Sequence, residues 1–414
     1  MKCIKCGAEY PAQLLYRCER CGGILDILYD FERIRDRIDF KVIVARRDGM
    51  WNYRELLPIE DYSKIVSLGE GGTKLHRCSR LEDKFGIKQL YVKDETRNPT
   101  GSFKDRPISV AVTKAKEFGV NTVVTSSSGN AGASLSAYAA KAGITCFVFT
   151  PTNVAVGPLS QMAVHGARIV TVKGSVSDSF KIAQVVAKKY GWMNVTSTFL
   201  CPYATEGDKT VGYEICEQLE WKVPQWILIP IGAGPLLFGS FKGFTELVKF
   251  DLIRDLPRMV GIQAEGCAPI VKAFKERTME VRPWKNPKTI ASGISDPLRG
   301  YTQDGNLTLK IIRKSKGVAI AVSDEDILDA VKLLAKEGVF AEPTGAVSIA
   351  GLRKMIDDKI VDRHDLAVCV VTGHGLKNPN RIMDMLKEPR LVVHGGNGLK
   401  RSSIMKILEN RGDF

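Results

Sequence analysis

Lys104 is the residue whose type and setting most clearly indicate chemistry. It lies in residues 98–106 (NPTGSFKDR), a glycine-containing turn that leads into a stretch of helical periodicity. The positive end of a helix dipole and the loss of hydration both lower the pKa of an amine. A lysine that forms a Schiff base needs a lowered pKa, because only the free amine attacks an aldehyde. A lysine in such a turn is more often an ordinary surface residue, so this prediction depends on the segments that accompany it.

Three further segments carry groups that could hold an anion or a heterocycle. Residues 125–132 (TSSSGNAG) place hydroxyls at the start of a predicted helix, which suits a carboxylate, although a helix cap is the alternative. Residues 230–236 (PIGAGPL) let backbone amides approach a phosphate, and they lack the third glycine and the downstream acid of a dinucleotide site. Thr372, in residues 372–377 (TGHGLK), offers a hydroxyl to a ring nitrogen, unless the segment is a simple turn.

The first 21 residues contain a candidate metal site. Its ligands would be four cysteines in two Cys-x2-Cys pairs separated by eleven residues: Cys3, Cys6, Cys18 and Cys21. A glycine follows each pair, and four thiolates at this spacing close a tetrahedral zinc-ribbon site, so we predict a structural zinc ion. Reduced thiols without metal, or two disulfides, are the alternatives. The other six cysteines are scattered, several in apolar runs, which predicts buried thiols, a reducing compartment and a cytoplasmic protein.

Short β-branched runs alternate with stretches of helical period from residue 89 onward. The first series is QLYVK, TVVTS, ITCFVF and ARIVTV, and the second is WILIPI, MVGIQA, GVAIAV and LAVCVVT. This alternation is typical of βαβ units. The predicted fold class is therefore α/β, with two three-layer αβα domains, mostly parallel sheets, and a small N-terminal zinc-ribbon-like module. Ligands of such folds bind beyond the carboxyl ends of the strands.

Charge and hydropathy restrict the partners. The chain has 414 residues, of which 60 are basic and 46 acidic, a net charge of +14. A solvated basic surface explains this excess, and a funnel that gathers anionic substrates is the sharper interpretation. No block of basic residues interleaved with aromatics supports nucleic-acid binding. No apolar run approaches the ~20 residues that span a bilayer, so no membrane partner is predicted.

Together, and in this order, the four segments resemble the fold-type II pyridoxal-phosphate (PLP) enzymes, the tryptophan synthase β family. Within that family the chain is most similar to the threonine synthase branch, and to its archaeal-type members with an N-terminal zinc ribbon. The resemblance covers about residues 67–380 and includes residues 206–210 (EGDKT), similar to the family's E-G-Q-K-T.

The resemblance implies a role for each cofactor-binding segment. Lys104 would form the Schiff base with PLP and later move the substrate's α-proton, and Asn130 would contact the oxygen on the cofactor ring. Thr372 would bond the pyridine nitrogen, and a neutral partner there favours elimination or replacement over transamination. The cofactor phosphate would be bound by the glycine loop: Gly232, Ala233, Gly234, Pro235 and Leu236.

The resemblance also implies the substrate contacts. Ser127, Ser128 and the N–H of Ala131 would hold the substrate carboxylate, and Arg168 would bind a phosphate ester on the substrate. The implied activity is a lyase reaction on a small phosphorylated amino acid, from O-phosphohomoserine and water to L-threonine and phosphate. A homodimer is compatible with this family, in which dimers are common.

Departures from the family pattern keep other functions open. Pro158 replaces the lysine of the family's G-K-L-x-Q stretch, and Cys201 replaces the asparagine of its Asn-Pro. The alternatives are a phosphoserine-dependent synthase that makes cysteate or cysteine, or a threonine or serine dehydratase. A nucleic-acid-binding regulatory protein is the alternative of another class, suggested by the cysteine pairs, the charge and the basic C-terminal residues.

The predicted domain boundaries follow from the two strand series and the motifs. Residues 1–25 form the zinc-ribbon-like module, residues 103–205 the smaller domain, and residues 26–102 with 206–387 the larger PLP-binding domain. Residues 388–414 are a tail, in which apolar residues at helical spacing within 401–410 predict a short amphipathic helix. We expect the tail to contribute nothing to the active site.

Overall fold

Three sheets organise the chain in the computed structural model, which describes residues 1–152, 154–174, 176–379 and 382–383. Residues Met1–Pro379 form one compact unit. The strands are β1 (Lys2–Cys3), β2 (Leu25–Asp26), β3 (Leu75–Arg77), β4 (Gln89–Asp94), β5 (Thr122–Ser126), β6 (Thr145–Pro151), β7 (Arg168–Val172), β8 (Met193–Asn194), β9 (Trp226–Pro230), β10 (Arg258–Ala264), β11 (Val318–Val322) and β12 (Leu366–Val371).

Helices fill most of the connections between these strands. They are α1 (Phe31–Arg35), α2 (Phe40–Ala45), α3 (Ser79–Phe85), α4 (Asp105–Glu117), α5 (Asn130–Ala142), α6 (Val156–Val164), α7 (Val176–Tyr190), α8 (Pro202–Asp208), α9 (Thr210–Gln218), α10 (Pro235–Lys249), α11 (Pro269–Lys275), α12 (Thr302–Lys314), α13 (Asp324–Lys336) and α14 (Pro343–Asp357). Short 3-10 turns span Gly49–Leu56, Tyr62–Lys64, Glu95–Arg97, Ser292–Ile294 and Gly375–Lys377.

The larger sheet has the strand order β11-β10-β9-β12-β4-β3. Its strands are parallel except β3, which pairs antiparallel to β4 at the edge. Every residue of β9 and β12 is buried, as expected of central strands covered on both faces. The sequences WILIPI and LAVCVVT are apolar throughout because both faces of each strand pack against helices.

The smaller sheet has the order β7-β6-β5-β8, with all strands parallel. Its strands fall between β4 and β9 in the chain, within the segment 103–205 expected to form the smaller domain. All the strands predicted in the two series are formed, but QLYVK (β4) of the first series joins the larger sheet. The predicted α/β class is therefore confirmed.

The N-terminal module is a small antiparallel pair, β1 with β2, joined by a long loop. Gly7 and Gly22 follow the second cysteine of each pair with φ of +75° and +68°, which is the turn that a knuckle requires. The six scattered cysteines are all buried and free, as predicted. None of the described helices is long and apolar enough to cross a bilayer. The tail predicted at residues 388–414 lies outside the described residues.

Candidate active site

One cavity of about 230 Å³ opens at the carboxyl ends of β5, β9 and β12. It is lined by the turn before α4, the serine-rich loop after β5, the glycine loop after β9 and the first residue after β12. Parallel strands deliver the loops that follow them to one edge of a sheet. Segments separated by more than 200 residues of sequence therefore meet in this cavity.

Lys104 occupies the N-cap position of α4 and reaches into the cavity. Its Nζ donates a hydrogen bond to Ser197 Oγ. Burial lowers the pKa of the Lys104 amine to about 8, and the carboxylates of Asp208 and Asp296 oppose that shift. The lowered pKa expected of a nucleophilic amine is therefore present, and its main cause is lost hydration.

Backbone pairing holds Lys104 opposite Thr372. The Phe103 N–H donates to the Thr372 carbonyl at 3.0 Å, and the His374 N–H donates to the Gly101 carbonyl at 2.9 Å. These two bonds fasten the turn before α4 to the end of β12. These main-chain hydrogen bonds therefore fix the positions of the Lys104 and Thr372 side chains relative to each other.

Three side-chain oxygen atoms of residues that line this cavity are buried without a hydrogen-bond partner among the described residues. They are Thr372 Oγ1, Asn130 Oδ1 and Ser126 Oγ. Asn130 is oriented by Glu342, whose Oε1 accepts a bond of 2.7 Å from the Asn130 Nδ2. A buried polar atom without a partner costs stability. The positions of Thr372 Oγ1 and Asn130 Oδ1 therefore fit a ligand with a nitrogen in its ring and an oxygen attached to that ring.

The glycine loop leads directly into α10. Gly234 has φ of +100°, and a Cβ on it would lie 2.3 Å from Thr308 Oγ1, so no other residue fits without distortion. Thr308 Oγ1 also donates to the Ala233 carbonyl at 2.6 Å, which fixes the loop. The first N–H groups of a helix have no partner within it, and they are suited to a phosphate. The loop therefore fits the phosphate of a cofactor.

The serine-rich loop lines the same cavity through Ser127, Ser128 and Ala131. Ser127 Oγ accepts bonds from the N–H groups of Gly129 at 3.2 Å and Gly132 at 3.0 Å. Its hydroxyl therefore stabilises the start of α5, which was the structural alternative in the sequence. The hydroxyl proton stays available to an anion, so capping and carboxylate binding are compatible.

Arg168 is not brought to the cavity. It is exposed at the first residue of β7, and its guanidinium lies 5.3 Å from the ring centroid of Phe147 on β6. The start of a strand lies at the edge of the sheet opposite to the carboxyl ends. The contact expected between Arg168 and a substrate phosphate is therefore not supported by this geometry.

Some residues in the cavity or near Lys104 received no functional role from the sequence. Ser197 lies in an ordinary polar stretch and gave no signal, whereas Asp208 stands where the similar family pattern has glutamine. Burial raises the pKa of Asp208 to about 7. Lys377 is 4% exposed, donates to Gln161 Oε1 at 2.5 Å, and has a pKa lowered by burial. Apart from Lys104, it is the only lysine or arginine among the described residues that line the cavity.

The four N-terminal cysteines come together away from this cavity. Their sulfur atoms all lie within 4.8 Å of one another. Cys3 Sγ is 3.5 Å from Cys21 Sγ, and Cys6 Sγ is 3.6 Å from Cys18 Sγ. Tetrahedral zinc with bonds of about 2.3 Å requires sulfur separations a little under 4 Å, so the cluster fits this ion.

Comparisons with known proteins agree on one family. Residues 66–373 match the family described as "Pyridoxal-phosphate dependent enzyme". The chain is 45% identical over 403 residues to a threonine synthase of Methanocaldococcus jannaschii, covering 97% of this chain and 98% of the relative. It is 42% identical to a threonine synthase of Methanosarcina acetivorans, covering 95% of each. A fungal L-serine ammonia-lyase from Rhizomucor miehei shares the fold, with a TM-score of 0.66 at 21% identity over 76% of this chain and 98% of that chain.

Proposed function

The chain belongs to the pyridoxal-phosphate dependent enzyme family, and from that premise we propose that it is a threonine synthase. Such an enzyme is a PLP-dependent lyase that converts O-phosphohomoserine and water into L-threonine and inorganic phosphate. The observation that carries the proposal is the convergence of Lys104, Asn130, Thr372 and the glycine loop in one cavity. This membership favours an enzyme over the nucleic-acid-binding alternative.

Different residues of the cavity would bind different parts of the cofactor. The loop of residues 232–236 would bind the phosphate of PLP, Asn130 would contact the oxygen attached to its ring, and Thr372 would contact its ring nitrogen, since all of them line the cavity. When bound, PLP supplies an electron sink for the substrate carbons. Because a threonine hydroxyl is neutral, it does not keep the ring nitrogen protonated, which favours elimination or replacement.

Lys104 combines attachment of the cofactor with proton transfer. Its amine, with a pKa of about 8, is partly free at neutral pH and can both attack an aldehyde and exchange a proton. Ser197 Oγ holds its Nζ. Ser127, Ser128 and the N–H of Ala131 line the same cavity and hold the substrate carboxylate.

Lys377 takes the role that the sequence assigned to Arg168. A substrate phosphate needs a cation, and Lys377 is buried in the described lining of the cavity. Pro158, which stands where the family pattern has a lysine, lines the same cavity. Lys377→Met should raise the KM for O-phosphohomoserine about ten- to a hundredfold, the worth of one charge-assisted hydrogen bond. The exposed Lys359→Met is the matched control. An unchanged KM would remove Lys377 from the substrate site.

The cysteine cluster is proposed as a structural zinc site. Four thiolates leave no open coordination position, so the ion stabilises the module and takes no part in the reaction. None of the four cysteines is among the residues that line the cavity, which agrees with this division of roles. Homodimer formation and a cytoplasmic location stay predictions.

The test combines labelling with a substrate panel. Borohydride reduction and peptide mapping should place the PLP adduct on Lys104, and Lys104→Ala should abolish the adduct. Release of phosphate together with threonine from O-phosphohomoserine supports the proposal. A sulfur adduct from phosphoserine, or a 2-oxoacid from threonine or serine, would favour the rival synthase or dehydratase instead.

A further inference from the structure

The loop between the two cysteine pairs contacts the segment that lines the cavity. Tyr16 Oη accepts a bond of 2.7 Å from the Asn194 N–H and donates to the Trp192 carbonyl at 3.3 Å. Tyr203 Oη donates to the Gln13 carbonyl at 2.9 Å and accepts from the Gln13 N–H at 3.0 Å. The module therefore holds residues 192–203 at both ends.

Arg17 holds the middle of that segment. Its guanidinium donates to the Phe199 carbonyl at 3.2 Å and to Asp304 Oδ1 at 3.0 Å. Asp304 Oδ2 accepts from the Phe199 N–H at 2.9 Å. The Asp304 carboxylate is fully buried, and the Arg17 side chain is 20% exposed. Both backbone groups of Phe199 are thus fixed by one ion pair.

The fixed residue lies two positions from a contact of the reactive lysine. Thr196, Ser197 and Thr198 line the cavity, and Ser197 Oγ accepts the bond from Lys104 Nζ. Asp304 also belongs to α12, whose Thr308 anchors the glycine loop through the Ala233 carbonyl. One ion pair consequently connects the cysteine module to both sides of the cavity.

We propose that Arg17 is a positioning residue of the active site, which holds Ser197 against Lys104 by clamping Phe199 with Asp304. Removing the guanidinium frees the Phe199 carbonyl and leaves a buried carboxylate without its cation. Ser197 then loses its fixed position, and the proton exchange of Lys104 changes with it. The effect reaches the cavity although Arg17 itself touches neither cofactor nor substrate.

The test compares Arg17→Ala with Arg20→Ala, an exposed arginine of the same module. Because the readout uses the PLP bound to Lys104, it rests on the proposed function. Both variants should keep zinc and one PLP per chain. In Arg17→Ala alone, kcat should fall about tenfold or more, and the pH midpoint of the bound-PLP absorbance should shift. Asp208 and Asp296 are the carboxylates facing Lys104, and they are unchanged in both variants.

Chemical rescue separates positioning from a general structural role. Millimolar guanidinium should restore part of the kcat of Arg17→Ala and should leave the kcat of Arg20→Ala unchanged. If both variants match the wild type in kcat and midpoint, the proposal is overturned. If Arg17→Ala loses zinc or PLP, Asp304→Asn breaks the same ion pair and must reproduce the fall in kcat and the shifted midpoint, or the proposal fails. Absence of a Lys104 adduct in the wild type would instead refute the proposed function.

Discussion

The reactivity of Lys104 gives a prediction that pH alone can test. Its pKa of about 8 means that about 10% of the amine is free at pH 7 and about 90% at pH 9. An ordinary lysine, with a pKa of about 10.4, is about 0.04% free at pH 7 and about 4% at pH 9. The rate at which the PLP-free protein captures PLP should therefore rise about tenfold between these pH values, and not about a hundredfold.

Stopped-flow absorbance of PLP mixed with the PLP-free protein measures this rate directly. The sign follows from the cause, since burial disfavours the ammonium form and increases the free amine at neutral pH. Capture should level off above about pH 9. A rate that climbs about tenfold per pH unit from 7 to 9, as for an ordinary lysine, would refute a lowered pKa.

Asp208→Asn extends the same measurement. Burial raises the pKa of the Asp208 carboxyl to about 7, so above pH 7 the carboxylate is charged and stabilises the ammonium of Lys104. The amide removes that charge, so the pKa of Lys104 should fall further and capture at pH 7.5 should become faster. The exposed Asp255→Asn is the control. Slower capture by Asp208→Asn would show that its charge does not act on Lys104.

Three other outcomes are expected. Thr308→Val leaves the Ala233 carbonyl unbonded and should weaken PLP binding about five- to a hundredfold in an equilibrium titration. The control Thr245→Val, on α10, removes a hydroxyl that bonds within its own helix and should leave PLP binding unchanged. Freshly purified reduced protein should contain about one zinc ion per chain, and Cys18→Ser should lower this below about half, as measured by metal analysis. Arg168→Ala should leave the KM for O-phosphohomoserine within about twofold, and a tenfold rise would return that residue to the substrate site.

Local patterns predicted the strands, the two sheets and the loops of the cavity well. A fully buried parallel strand is apolar throughout, and the loop after it is where a ligand binds, so β9 and β12 indicate both structure and site. The cysteine spacing predicted the cluster for a similar reason, because a short loop with a glycine turn brings neighbouring sulfur atoms together.

Contacts between distant parts of the chain could not be predicted from local sequence patterns. Arg17 and Asp304 pair across 287 positions, and no property of either residue's neighbours indicates the other. The position of Arg168 was missed for a related reason: the motif gives its residue type, but the direction of β7 decides which edge of the sheet it occupies. Lys377 was quoted as part of a motif and became informative only once its burial was known.

The strand order of the larger sheet has a consequence for synthesis on the ribosome. One of its parallel pairs joins β4, which ends at Asp94, to β12, which begins at Leu366. At about 5–20 residues per second, roughly 15 to 55 seconds pass before the partner of β4 is made. The smaller sheet, in contrast, is synthesised as one continuous stretch and can fold while translation continues. During that interval β4 has β3 beside it but lacks β12, so one of its edges stays unpaired. Nascent chains that stall before residue 366 should therefore depend on chaperones to avoid aggregation.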